Sequence, residues 1–235
     1  MARPPVVWVT GAGSGIGRAL AEAFASAGCA VGVTSRSAAR ITRVAASSAR
    51  IVRCACDVRN SSSVRRAHVR IVRSLGPVDI LVNNAGVTVF KKLLSTNERE
   101  FTEIVDTNLG GVYRATREVL PSMVRRRKGT IVTILSYAIK TTYTSSSAYT
   151  ASKSGAEALL RVLREELRGK GIRVVNVIPG AVNTAMWPKT VRRSQADVMM
   201  AADELADEIV RASLKQGTVV AEEIVVRPRV GDLRL

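Results

Sequence analysis

A chain of 235 residues that is 46% apolar can bury one full hydrophobic core, which excludes long disorder and predicts a single domain over residues 1–235. Only 4% of it is aromatic, so Val, Ala, Leu and Ile must fill that core, and no apolar run reaches the roughly 20 residues of a membrane span. The net charge of +17 is dispersed over Arg65 to Arg73, Arg125 to Lys128 and Arg161 to Lys170, largely on outer helix faces without interleaved aromatics; this argues against a nucleic-acid partner and for a solvated surface that attracts anionic small molecules.

Val6 to Thr10 is β-branched and nearly continuous, the pattern of a buried strand, and Ile16, Leu20 and Phe24 recur at helical spacing over about Ile16 to Ala27. Between them runs TGAGSGIG, Thr10 to Gly17. Gly11, Gly15 and Gly17 let the backbone turn sharply, and free N–H groups at the helix start, around Ser14, Gly15 and Ile16, suit a pyrophosphate. The spacing departs from the common Gly-x-Gly-x-x-Gly, because Ile16 stands where its third glycine falls; a tight structural turn is the other reading.

Ala30 to Thr34 predicts a second strand, and Ser35 and Arg36 follow it. The Arg36 guanidinium can fork onto a phosphate, with Arg40 to assist, or can sit on a surface loop. A polar helix is expected near Ala38 to Ser48 and a strand over Arg50 to Ala55. Cys29, Cys54 and Cys56 form an odd set in a sequence without a secretory leader, which predicts reduced thiols in a cytoplasm. Cys54-x-Cys56 has no second ligand pair, so no metal site is expected. Asp57 and Val58 come next, then a helix over Ser62 to Leu75 stopped by Gly76-Pro77, and a strand over Val78 to Val82 closed by Asn83 to Gly86. His68 is the only histidine, which disfavours a His-based triad.

Helices are predicted at Asn97 to Val105 and Leu109 to Arg127, the second closed by Gly129. A strand at Thr130 to Leu135 leads to Ser136, and a long helix runs from Ala148 to Arg168. Ile172 to Ile178 is a strand stopped by Pro179-Gly180; a helix at Ala202 to Leu214 and a strand at Glu223 to Val226 finish the chain. This alternation predicts an α/β fold: one doubly wound Rossmann-type domain with a mostly parallel seven-stranded sheet flanked by helices on both faces.

The ordered set TGAGSGIG, Asn83-Asn84-Ala85-Gly86, Asn108, Ser136, Tyr149-x-x-x-Lys153 and Pro179-Gly180, spread over about residues 5 to 184, resembles the short-chain dehydrogenase/reductase family. The resemblance implies hydride exchange between a nicotinamide cofactor and a small carbonyl/alcohol substrate. Tyr149 is then the general acid/base, Lys153 also holds the nicotinamide ribose, Ser136 bonds the substrate oxygen, and Asn108 holds a water at a local helix break. The family's acidic ribose-reading position aligns with Ser35, so Arg36 implies NADP(H), although the basic residue that many NADP-dependent members carry in the glycine turn is here Ser14. Asp57 is expected at the adenine, or else as a cap of its turn, with Val58 beside it. Asn84, Ala85 and Gly86 would pass close to the cofactor, and Ile178, Pro179, Gly180, Val182 and Thr184 would position the nicotinamide amide. A substrate lid is expected at about 185–200, where Met186, Trp187, Met199 and Met200 would line an apolar pocket and Arg192 and Arg193 would attract an acid group. Relatives of this type imply a homodimer or homotetramer built on the two long helices.

Tyr149 and Lys153, four residues apart, share a helix face. A free phenol has a pKa of ~10, and lowering it by ~3 units takes roughly 4 kcal/mol, the work expected of a neighbouring ammonium and the cofactor's positive ring. Tyr137 and Tyr143 have no lysine four residues on and read as bystanders. Two other classes stay open: a catalytically silent NADP-binding regulatory protein of the same fold, and a basic nucleic-acid-binding protein.

Overall fold

The computed structural model describes residues 3–42, 44, 50–215, 217–231 and 233. Seven strands, β1 (Val6–Thr10), β2 (Ala30–Ser35), β3 (Ile51–Ala55), β4 (Ile80–Asn83), β5 (Gly129–Ile134), β6 (Ile172–Pro179) and β7 (Glu223–Val226), form one sheet in the order β3-β2-β1-β4-β5-β6-β7. Every pairing is parallel, where a mostly parallel sheet was expected. Parallel strands need crossovers, and these are α1 (Gly15–Ser26), α2 (Ala38–Ile41), α3 (Ser61–Leu75), α4 (Glu98–Val105), α5 (Gly111–Arg126), α6 (Ser147–Leu167), α7 (Lys189–Ser194) and α8 (Ala202–Leu214). The expected helix at Ala38 to Ser48 is seen only as α2; residues 43 and 45–48 lie outside the described residues.

The strand period of two divides β1 between two cores. Val6 and Trp8 pack with Ile71 of α3, Val119 of α5 and Leu160 of α6, whereas Val7 and Val9 pack with Leu20 and Phe24 of α1 and Ile209 of α8. Burial on both faces is why β1 reads as an unbroken apolar run. From β1 the chain first winds outward through β2 and β3, then restarts at β4 on the other side. That reversal opens a crevice beyond the carboxyl ends of β1 and β4.

Two local expectations change. Gly129 does not close α5: the helix ends on Arg127 in the left-handed region (φ 49°), and Gly129 begins β5. It is glycine because an added Cβ would lie 2.5 Å from Met123 Sδ. Leu109 does not begin a regular helix either. Residues Asp106–Gly110 form a π-helical turn between α4 and α5, so the break expected near Asn108 is a wide turn with no interruption of the chain's helical path.

Candidate active site

The strand ends open onto a cavity of about 710 Å³. Most of the predicted residues line it: Gly11, Ser14, Gly15 and Ile16 after β1; Ser35 and Arg36 at the end of β2; Asp57 and Val58 after β3; Asn84, Ala85 and Gly86 after β4; Ser136 after β5; Tyr149 and Lys153 on α6; Pro179, Gly180, Val182 and Thr184 at and after the end of β6. Gly17 and Asn108 are not in its wall. Gly17 is buried behind the turn, where a Cβ would meet the Gly11 carbonyl oxygen at 2.5 Å, so it lets α1 approach. Asn108 is buried as a clamp. Its Nδ2 donates to the Val87 carbonyl (3.0 Å) and Ser152 Oγ (3.0 Å), and its Oδ1 accepts from Val87 N (2.9 Å), tying the loop after β4 to α6.

The glycine turn is held from behind. Asn84 Nδ2 donates to the carbonyls of Thr10 (2.9 Å) and Gly11 (3.2 Å), and Thr10 Oγ1 accepts from the backbone N–H groups of Asn84 and Ala85. Gly11 and Gly15 have φ of 67° and 51°, values costly for any side chain. Ser14 precedes α1 without capping it through its hydroxyl, so the first-turn N–H groups are left for an anion. Asn83 braces the sheet, donating to Thr116 Oγ1 (3.1 Å) and Thr133 Oγ1 (3.3 Å).

At the β2–β3 end the charges are already paired. Arg36 Nη1 lies 3.3 Å from Glu103 Oε1, which also takes Arg59 Nη1 at 3.1 Å. Arg59 in turn forks onto Asp57, with its Nη2 2.8 Å from Oδ2. The Arg59 hydrogen bond holds the Asp57 carboxyl below its usual range. Asp57 Oδ1 also accepts from Arg59 N (3.0 Å), the turn-capping alternative, while the cap of α3 itself is Asn60. Arg59 and Glu103 were not legible from sequence: they are 44 residues apart and belong to no motif.

At the β5–α6 end, Lys153 is buried and its Nζ donates to the Ile134 carbonyl at 2.6 Å, 5.8 Å from the centre of the Tyr149 ring. Burial lowers its pKa from the ordinary 10.5 to about 8. The enclosing walls raise the Tyr149 phenol above its ordinary value, opposed by a hydrogen bond with Ser136. The lowered phenol expected from the ammonium together with the cofactor's positive ring concerns the loaded site; the walls alone act against it, by desolvating the phenolate.

The segment after β6 is tied at its base, Met200 N donating to Ala181 O (3.0 Å) and Asn183 N to Met200 O (2.9 Å). Met186 and Trp187 line the cavity. Met199 and Met200 do not; Met199 is buried and Met200 packs on the α1–α8 core. Arg192 donates to Asn183 Oδ1 (3.2 Å) and, like Arg193, does not line the cavity, so neither meets a substrate acid there. Tyr137 and Tyr143, expected as bystanders, are both in the wall, together with Phe90. For the two tyrosines, their position between Ser136 and Tyr149 in sequence was the available signal; Phe90 had none. Cys54 and Cys56 are buried thiols, and burial pushes Cys56 up to about 11.

Comparison with known proteins agrees with this geometry. The short chain dehydrogenase family model matches residues 5–195. A sepiapterin reductase of Chlorobaculum tepidum is 35% identical over 240 residues, covering 97% of this chain and 98% of its own. Among solved structures, an alcohol dehydrogenase of the archaeon Thermococcus sibiricus, complexed with 5-hydroxy-NADP, superposes with a TM-score of 0.89 at 27% identity, covering 99% of this chain and all of its own. A metagenomic short-chain oxidoreductase in complex with NADP gives 0.84 at 30% identity, with 96% and 97% covered. Family match, full-length relatives and a sheet whose strand ends gather the motif residues lead to one statement: the chain belongs to the short-chain dehydrogenase family of oxidoreductases.

Proposed function

We propose that the chain interconverts a carbonyl and an alcohol with NADP(H) as cofactor, Tyr149 moving the proton. The observation that supports this most is the meeting of Tyr149, Ser136 and Lys153 in the wall of the same cavity as the glycine turn. The chain's residues fit the cofactor. The uncapped start of α1 suits a pyrophosphate, and Ser35 and Arg36, with no carboxylate after β2, suit a 2′-phosphate. Asp57 and Val58 would face the adenine, Asn84 to Gly86 and Lys153 the ribose beside the reacting ring, and Pro179, Gly180, Val182 and Thr184 its amide. When bound, NADP(H) supplies or accepts the hydride.

In the reducing direction Tyr149 Oη donates its proton to the carbonyl oxygen, and Ser136 Oγ donates a hydrogen bond to the same atom. A phenol carries its proton at neutral pH, so Tyr149 is a donor in this direction. Lys153, fixed on Ile134 O, presents a cation beneath the ring that offsets negative charge developing on Oη. Because the Asn108 side chain is fully engaged, a water in the proton path would sit on a backbone carbonyl of the π-helical turn. The test is NADPH absorbance against a panel of aldehydes, ketones and β-keto acids, with Tyr149→Phe alongside. Turnover that survives Tyr149→Phe removes the mechanism.

Assembly follows from surface chemistry. Phe101 on α4, Tyr113 and Val124 on α5, and Leu159 and Val162 on α6 are exposed, an apolar set on the two long helices and their neighbour that suits a homodimer or homotetramer. Sedimentation as a monomer at micromolar concentration would end that proposal. No helix among the described residues is long and apolar enough to cross a membrane, and the three buried free thiols suit the cytoplasm.

A further inference from the structure

The sequence has two Trp, four Tyr and three Phe, and five of these nine line the one cavity: Phe90, Tyr137, Tyr143, Tyr149 and Trp187. They come from the loops after β4, β5 and β6 and from α6, the end where Tyr149 lies. Phe90 and Trp187 stack across the gap between two of those loops, ring centres 5.1 Å apart and planes inclined by 14°. Phe90 is 43% exposed and Met186, beside Trp187, is 42% exposed, and both line the cavity.

Charge is distributed the other way. Among the described residues, the cations in the cavity wall are Arg36 and Arg40 after β2, and Lys153, whose ammonium is held by the Ile134 carbonyl. Arg227 lies over the Tyr137 ring at 4.3 Å and is not in the wall. Among the described residues, an anionic substrate group at the aromatic end would lose its hydration and meet in the wall only the Lys153 ammonium, already engaged by a carbonyl. A flat ring, by contrast, extends an existing stack and gains stacking energy beyond the area it covers.

We propose that the substrate is neutral and carries its carbonyl on, or conjugated with, a planar ring that packs against the Phe90–Trp187 pair. This rests on the hydride-transfer reading above but concerns binding, so the two can fail separately. Trp8, the other tryptophan, has no exposed surface, which makes Trp187 the reporter of ligand-dependent fluorescence. The experiment titrates the intact protein, with NADP+ present, with 2-acetylnaphthalene, its saturated counterpart cyclohexyl methyl ketone, and the anion phenylglyoxylate. It then measures kcat/KM for each with NADPH. The expected result is saturable quenching by the naphthyl ketone at concentrations where the other two leave the signal unchanged, and a higher kcat/KM for it. Trp187→Leu should reduce the naphthyl-over-cyclohexyl preference about fivefold, the size of one stacking contact, and Trp187→Phe should restore most of it. Equal binding of the saturated or charged ketone, or a preference unmoved by Trp187→Leu, overturns the proposal. Quenching without turnover of any ketone would remove the enzymatic reading and leave the ring site standing; turnover of all three with no quenching does the reverse.

Discussion

The two ends of the cavity are built by opposite means. At the β2–β3 end, Arg36, Glu103, Arg59 and Asp57 form a chain of charge pairs in which Arg36 and Glu103 are 52% and 41% exposed. At the β5–α6 end, a buried lysine, a walled-in phenol and a clamped asparagine are fixed by backbone carbonyls and short hydrogen bonds. Exposed pairs are screened and rearrange at little cost, whereas a buried ammonium pays a desolvation cost that only a fixed partner offsets. The difference matches the tasks: one end must exchange partners when an anion arrives, and the other must hold a proton donor still.

Breaking the rigid end should cost most. Tyr149→Phe is expected to lower kcat by about 10³-fold through loss of the general acid, with NADPH binding measured by fluorescence little changed. A variant that loses binding and turnover together would show that the phenol holds the site's shape and does no proton chemistry.

Next comes Lys153. Its pKa is about 8 in the folded chain against an ordinary 10.5, so between those values the unfolded chain keeps a proton that the folded one has released. Folding stability from this group therefore rises as pH goes from about 8 to about 10.5 and is flat below that window. Relative to Lys153→Met, the native chain should gain about 3 kcal/mol across it. The difference between the two cancels the opposite trend expected from the thiols, which burial raises. Urea midpoints at pH 7.5 and 10 read it directly, and a gap that stays constant would mean the ammonium is not desolvated in the native fold.

At the exchangeable end the effects shrink. Arg36→Ala removes a charge-assisted contact to a 2′-phosphate and should weaken NADPH by about tenfold while leaving NADH within about twofold. Parallel titrations of both cofactors decide it; equal losses would move the specificity elsewhere, with Arg40 the next cation in the wall.

The contrast between the ends also explains what was legible in the sequence. The rigid end is encoded locally. Tyr149 and Lys153 are a helical i, i+4 pair, Ser136 follows a clear strand, and the glycine turn sits between a strand and a helix of strong periodicity. The exchangeable end joins residues far apart: the Arg36–Glu103 contact spans 67 positions, and no periodicity reports it. Tyr137, Tyr143 and Phe90 sit in loops, where side-chain direction follows no period, so their convergence on one cavity needed the fold. Gly129 was misread because a glycine after a helix signals both a helix stop and a close approach; here Met123 made it the second. Asn108 was correctly located at a helix irregularity, but its partners Val87 and Ser152 belong to other elements.

Glu103 offers the smallest and sharpest test of the comparison. Its carboxylate occupies the Arg36 guanidinium in the same cavity region proposed for a 2′-phosphate, so the incoming anion must displace it. Glu103 also bonds Arg59, and losing the carboxylate leaves Arg59 its fork onto Asp57, at 2.8 Å. Glu103→Gln removes the competing charge and keeps the side chain's shape. Because an exposed pair is worth ~0.2–1 kcal/mol, the variant should tighten 2′,5′-ADP, a probe lacking the nicotinamide, by about 1.4-fold to fivefold. Binding of 5′-ADP, which has no 2′-phosphate, should change little. Calorimetric titration of both nucleotides at low and high salt measures it, and the gain should shrink as salt screens the pair. Weaker 2′,5′-ADP binding in the variant would mean that Glu103 positions Arg36 for the phosphate and does not compete with it, and the end taken here as exchangeable would be as preorganised as the one that holds Tyr149.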